Sequence, residues 1–208
     1  LKIDKQYIEE TSIDFQKSFE IVSGLKGNIV TIFGSARVKD DNVYYEDAFK
    51  LSKGLAEKGC HILTGGGPGI MEAGNRGAFD LKDFDIESIG FNISLPKEQK
   101  ENKFLTKQYR FNKLFARKLM LIKYSSIFII FPGGFGTLDE LFELLVLVQS
   151  KKRENVKIFL YGTKFYQPLL DFFKNSLLEE KMINRDDLNL FEIVDSVEEI
   201  VENCHCKN

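Results

Sequence analysis

Three segments of this sequence run from apolar residues straight into glycine-rich or small ones: Phe33-Gly34-Ser35-Ala36-Arg37, Thr64-Gly65-Gly66-Gly67-Pro68-Gly69 and Phe131-Pro132-Gly133-Gly134-Phe135-Gly136-Thr137. Glycine lets backbone N–H groups approach a ligand closely, and the dipole of a helix that follows favours negative charge, so phosphate is the natural guest. A single loop of this kind need only turn a strand into a helix. Three on one edge of a sheet ask for a ligand. The familiar nucleotide signatures are missing, since no G-x-x-x-x-G-K-[ST] occurs and no loop fits G-x-G-x-x-G with an acidic residue about 20 positions on. A triphosphate hydrolase and an NAD enzyme are therefore disfavoured.

Charged residues stand near the third loop. Glu140 falls in the first turn of the helix read after it, where the dipole should keep a carboxylate ionised and suited to act as a base or charge stabiliser. Cleavage of an N-glycosidic bond passes through an oxocarbenium-like sugar that wants such a group. Thr137-Leu138-Asp139-Glu140 is equally a capping box, in which Glu140 bonds back to the Thr137 backbone, and spacing leaves both readings open. On a helical wheel of roughly 100° per residue, Lys118 falls among Phe111, Leu114, Phe115, Leu121 and Ile122. A lysine there needs an anion or must snorkel to the edge of the core. Arg117 borders the same face beside Lys113 and Tyr124, readable as a solvated arginine or as a bidentate partner for phosphate or carboxylate.

The elements that must carry these residues alternate. Short β-rich runs at 28–33, 61–64, 87–91, 126–131, 156–161 and 189–194 are interleaved with helical patterns at 44–58, 70–81, 112–124, 137–151, 166–181 and 196–203, with another helix at 4–22. Such alternation signals β-α units and a parallel sheet, here an α/β, Rossmann-like, doubly wound, three-layer αβα sandwich formed as a single domain over 1–208. The unbroken apolar run at 126–131 suits a central strand covered on both faces. Open parallel sheets bind ligands beyond the carboxyl ends of their strands, which is where all three glycine loops fall. Only 92–106, polar and with Pro96 and four lysines, resists the scheme, and a loop of that length is either functional or mobile.

Composition narrows the function classes. The 208 residues, 43% hydrophobic and 29% charged, are ordinary for a globular domain. A net charge of −2 gives no basic field for non-specific nucleic-acid binding, and Lys151-Lys152-Arg153 reads as a solvated helix end. No apolar run approaches the roughly 20 residues that span a bilayer, and the opening residues are too charged for a signal peptide, so a cytoplasmic protein without membrane partners is expected. Cys60, Cys204 and Cys206 are a poor basis for a disulfide framework, so reduced thiols are the default. Cys204-His205-Cys206 lacks a second ligand pair at zinc-like spacing, and no metal is assigned.

Pro132-Gly133-Gly134-Phe135-Gly136-Thr137-Leu138-Asp139-Glu140 resembles the PGGxGTxxE motif of the Lonely Guy (LOG) family. Residues 65–73 resemble that family's other glycine loop, and Arg117-Lys118 falls where it carries an Arg-Lys pair, the likeness extending over roughly 28–183. The resemblance implies a homodimer or larger assembly, without a cofactor, that hydrolyses nucleoside 5′-monophosphates to free base and ribose 5-phosphate. It makes Arg117 and Glu140 catalytic and has the PGGxGT backbone cradle the phosphate. The substrate-binding set is then Gly34, Ser35, Gly66, Gly67, Met71, Glu72, Lys118, Gly133, Gly134, Phe135, Gly136, Thr137 and Asp139. The 92–106 segment is longer than in plant members, leaving both AMP and cytokinin monophosphates as substrates. Two rivals stand beside this reading: a pyridoxal-phosphate lysine decarboxylase, for which no strand-end lysine stands out, and a carrier or sensor that binds a nucleotide or cofactor without turning it over.

Overall fold

A computed structural model describes residues 4–94 and 100–204. Seven strands form one sheet in the order β4-β3-β2-β1-β5-β6-β7, every neighbouring pair parallel. They are β1 (Ile29–Phe33), β2 (His61–Thr64), β3 (Ser88–Ile93), β4 (Lys107–Phe111), β5 (Ser125–Ile130), β6 (Lys157–Tyr161) and β7 (Glu192–Val194). The helices are α1 (Lys5–Val22), α2 (Val43–Glu57), α3 (Ile70–Phe79), α4 (Leu114–Lys123), α5 (Phe135–Gln149), α6 (Thr163–Phe172) and α7 (Val197–Asn203), and α6 continues into a π-helical segment, Phe173–Leu178.

Side chains alternate along each strand, so the sheet feeds two cores. Val30, Ile32, Ile127 and Ile129 pack with α2, α3 and α7, whereas Ile29, Phe33, Phe128 and Ile130 pack with α4, α5 and α6. The two layers of helices make the three-layer αβα sandwich expected from the alternation. Among the described residues no helix is long and apolar enough to cross a membrane.

Strand β4 was not foreseen. Lys107-Gln108-Tyr109-Arg110-Phe111 is a polar edge strand with a single fully buried side chain, Phe111, so it lacks the apolar signature of the inner strands. It extends the sheet over residues to which the sequence pattern assigns no element, between the 92–106 segment and the helix at 112–124. Two of its side chains are tied to other parts of the fold, the Tyr109 phenol to Asp14 (3.0 Å) and the Arg110 guanidinium to Glu101 (2.9 Å).

Asp14 explains how the first helix matters to the rest. Wholly buried on α1, its carboxylate accepts from the backbone N–H of Asn112 (3.0 Å) and Lys113 (2.9 Å), anchoring the residues that lead into α4. A carboxylate at a helix N-terminus satisfies orphan donors and suits the dipole. The phenol it holds, Tyr109, is pushed up to about 12, by burial first and then by Asp14.

Two smaller expectations also changed. Arg153 is not a solvated end, because its guanidinium donates to the carbonyls of Lys123 and Ser125 and so closes the β5 entry. Cys60 is disulfide-bonded rather than reduced. Helix α7 packs on α2, where Lys58 donates to the carbonyls of Val201 and Cys204. Cys204 is free and buried, and the rest of the Cys204-His205-Cys206 cluster lies outside the described residues.

Candidate active site

The strand order reverses between β1 and β5, and at such a switch point the outgoing loops diverge to leave a crevice. Here the loops after β1 and β5 are tied together by Ser35 N–H donating to the Pro132 carbonyl (3.1 Å). Above them opens a cavity of about 840 Å³. Gly34, Ser35, Met71, Arg117, Gly133, Gly134, Phe135, Gly136, Thr137 and Glu140 line it, ten of the residues expected from sequence. A separate cleft of about 120 Å³, between α5 and the π-helical segment, is almost wholly apolar, and its Gln149 and Asp187 bond to each other (2.9 Å). It has no comparable chemistry.

At one end of the large cavity stands the N-terminus of α5. Its cap, Gly134, is extended (φ −90°, ψ −160°) and supplies no side-chain bond, and the first helical bond runs from Leu138 N–H to the Gly134 carbonyl (3.0 Å). The N–H groups ahead of Leu138 have no partner within the helix, which makes this end a ready anion site. Helix α3 differs, because the Ile70 N–H is taken up by the Ser35 carbonyl (3.1 Å).

This early start of α5 corrects the capping-box reading. Two residues earlier than the Thr137 start suggested by Thr-x-x-Glu, the glycines themselves lead into the helix. Thr137 is then the third helical residue, with its side chain against Gly133, and Glu140 sits in the second turn, out of reach of any cap. The dipole argument for Glu140 changes too. With 13% of its side chain exposed, Glu140 is pushed up to about 7, by burial before anything else, against the pull of Arg117. It is poised near neutrality rather than held ionised.

Arg117 reaches Glu140 from α4. Only 12% of its side chain is exposed, so it is neither solvated nor at the border of an outer face. Its Nε–H donates to the Phe91 carbonyl at the end of β3 (2.6 Å), Nη2 approaches the Gly65 carbonyl (3.5 Å), and Nη1 lies 3.8 Å from Glu140 Oε1. Burial lowers its affinity for the proton and Glu140 restores part of it, but a guanidinium keeps its charge in proteins. A Cβ on Gly65 would press on Arg117 Nη2 and Met71 Sδ, so a larger residue there forces both side-chain ends to move.

The other expected residues sit just off the cavity wall. Lys118 finds its anions in Asp139 (3.0 Å) and Glu143 (2.7 Å), bridging α4 to α5. Glu72 accepts from the Tyr45 hydroxyl (3.2 Å). Gly66 and Gly67 form the loop behind Arg117, with Gly66 at φ +70°. Sequence reasoning missed five lining residues: Ala36, Arg37, Ile93, Leu114 and Leu138. The apolar ones carry no chemical signal in isolation, whereas Arg37, a cation directly after a glycine loop, could have been found.

Comparison with known proteins gives the family and the fold. A family model described as "Possible lysine decarboxylase" matches residues 71–204. The rice cytokinin riboside 5′-monophosphate phosphoribohydrolase LOG is 28% identical over 147 residues, covering 70% of this chain and 60% of the rice protein. The enzyme of the same name from Rhodococcoides fascians is 24% identical over 151 residues, 72% of this chain and 76% of that one. Among solved structures, the molybdenum cofactor binding protein of Rippkaea orientalis superposes with a TM-score of 0.61 at 21% identity, over 87% of this chain and 96% of that one. The molybdenum cofactor carrier protein of Chlamydomonas reinhardtii does so with 0.59 at 20% identity, over 86% and 96%. At such identities the structural likeness shows the fold.

Proposed function

The chain belongs to the family described as possible lysine decarboxylase, the LOG family, and from that premise we propose that it hydrolyses the N-glycosidic bond of purine nucleoside 5′-monophosphates. AMP or an N6-substituted relative plus water gives free base and ribose 5-phosphate. The observation that carries this reading is the buried Arg117–Glu140 pair standing beside an uncapped helix N-terminus in one cavity. The substrate's phosphate sits on the α5 N–H groups within the Gly133-to-Thr137 loop, and the base points toward Met71, Ile93 and Leu114. The anomeric carbon then lies near Glu140, whose ionised form stabilises the positive charge developing on the sugar. A carboxyl poised near 7 also takes a proton readily from the attacking water. Arg117 holds Glu140 in place and offsets negative charge around it.

Decarboxylation of lysine fits less well, because among the described residues lining the cavity none is a lysine that could hold pyridoxal phosphate. The carrier reading draws on the likeness in fold to molybdenum cofactor binding and carrier proteins, but a carrier has no need of a carboxylate held near neutrality. Exposed Leu114, Phe115 and Leu119 on α4, with Phe142 and Val146 on α5, support a homodimer formed through these helices.

The test is incubation of purified protein with AMP, N6-substituted AMP, adenosine and lysine, with products separated by chromatography. Free base and ribose 5-phosphate are expected from the monophosphates, and much slower reaction from adenosine, since phosphate binding positions the sugar. Equal rates on AMP and adenosine, or tight binding with no cleavage, would overturn the proposal.

A further inference from the structure

The second glycine loop is held by its carbonyls. In the orientation that satisfies both ends of its amide, Asn92 donates to the carbonyls of Gly65 and Gly66, 3.2 Å each. Asn102 donates its backbone N–H to the Gly66 carbonyl (2.9 Å) and its side-chain amide to the Gly67 carbonyl (3.0 Å). Three consecutive carbonyls are thus each gripped by an asparagine. Asn102 in turn donates to Asn75 Oδ1 (3.0 Å), which also accepts from Thr64 (2.5 Å), while the Asn75 amide donates to Ser88 Oγ (3.0 Å) and to the Ile89 carbonyl (3.2 Å). All three asparagines are buried, at 0%, 6% and 7% exposure for Asn75, Asn92 and Asn102.

A buried amide network with every member satisfied is rigid, because breaking any bond strands a polar group in a low-dielectric interior. The loop it fixes is the one on which Arg117 rests, through Gly65. Its outer anchor, Asn102, belongs to the 92–106 segment, whose polar composition would suit a free surface loop. We infer that Asn102 is a positioning residue of the site, holding the 65–67 loop so that Arg117 is seated against Glu140. The segment's second half is therefore a clasp on the active site from behind, not a flap over its mouth.

This inference rests on the proposed role of Arg117, and it is tested by two readouts. In Asn102→Ala the Gly67 carbonyl and Asn75 Oδ1 lose a donor, and a guanidinium displaced by about 1 Å costs up to about 10²-fold in turnover. The expected result with AMP is a kcat lowered about 10-fold or more with KM within about threefold, since the phosphate end at α5 is untouched. The second readout does not need activity: the Arg117 Nε–H resonance of 15N-arginine-labelled protein, assigned through Arg117→Lys, should shift or broaden as its bond to the Phe91 carbonyl loosens. Tyr161→Phe, which removes hydroxyl bonds to Asp47 and to the Asp195 carbonyl and touches no member of the asparagine network, should lower stability without either effect. If the alanine variant does not fold, Asn102→Ser keeps a hydroxyl in the network and is expected to show the same changes in smaller degree. An Asn102 variant with wild-type kcat and an unmoved Arg117 resonance overturns the inference. Absence of AMP cleavage by the wild-type protein would instead refute the proposed reaction, and the resonance would still decide the positioning role.

Discussion

Replacing Glu140 by glutamine removes a charge and little else, so it isolates what burial does to this carboxyl. Its proton is held up to about 7, against 4.5 for an unburied glutamate. A carboxyl raised in this way binds its proton more tightly in the folded chain than in the unfolded one. The stability it contributes is complete below about pH 4.5 and is lost as pH climbs through about 7. At about 1.4 kcal/mol per pH unit the gap amounts to about 3 kcal/mol, of which some 2 to 3 kcal/mol falls between about pH 5 and pH 8. Glutamine does not titrate, and at low pH the neutral glutamate resembles it; the pull of Arg117, felt only by the ionised carboxylate, is already contained in the value of about 7. Urea unfolding of both proteins at about pH 5 and pH 8 should therefore show Glu140→Gln gaining on the wild type by about 2 to 3 kcal/mol at the higher pH. In the same variant, turnover of AMP should fall by roughly 10²-fold, and the rise of wild-type kcat with pH through about 7 should vanish. A stability difference independent of pH, together with undiminished turnover, would refute both the buried environment and the catalytic role.

Gly65→Ala places a methyl group against Arg117 Nη2 and Met71 Sδ, so turnover should drop by about 10²-fold while circular dichroism shows the fold retained; full activity would mean that the guanidinium tolerates displacement. Lys118→Met deletes the ion pairs to Asp139 and Glu143 without touching the cavity wall, so thermal unfolding should show a loss of about 1 kcal/mol or less and KM for AMP should stay within about threefold. A tenfold rise in KM would instead place the ammonium on the substrate's phosphate.

What was legible in the sequence was whatever depended on local pattern. The apolar run through Phe128, Ile129 and Ile130 marked a central strand because both of its faces are covered, and the glycine loops marked its carboxyl edge. Strand β4 was hidden because an edge strand is defined by its neighbour, not by its own side chains. Thr137 misled because a Thr-x-x-Glu spacing looks like a cap wherever it occurs, while the glycines that displaced it have no side chain to announce that a helix begins. The wheel placed Arg117 at a border, and only the packing of α4 across the ends of β2 and β3 shows that it points inward. Lys118 was rightly read as needing an anion, but the anions are carboxylates of the next helix. Asn102 gave no sign at all, since a lone asparagine among polar residues is what any loop contains.

The grip of Asp14 on the start of α4 has a further consequence for how such a site can change. Arg117 stands one turn into α4, so the direction of its guanidinium follows that helix, and the helix takes its footing from a carboxylate on α1 that does not line the cavity. A fixed handhold outside the catalytic loops lets substitutions along α1 act like an adjusting screw. They can tilt α4 by small amounts and retune the spacing of guanidinium and carboxylate, while every residue that faces the ligand stays the same.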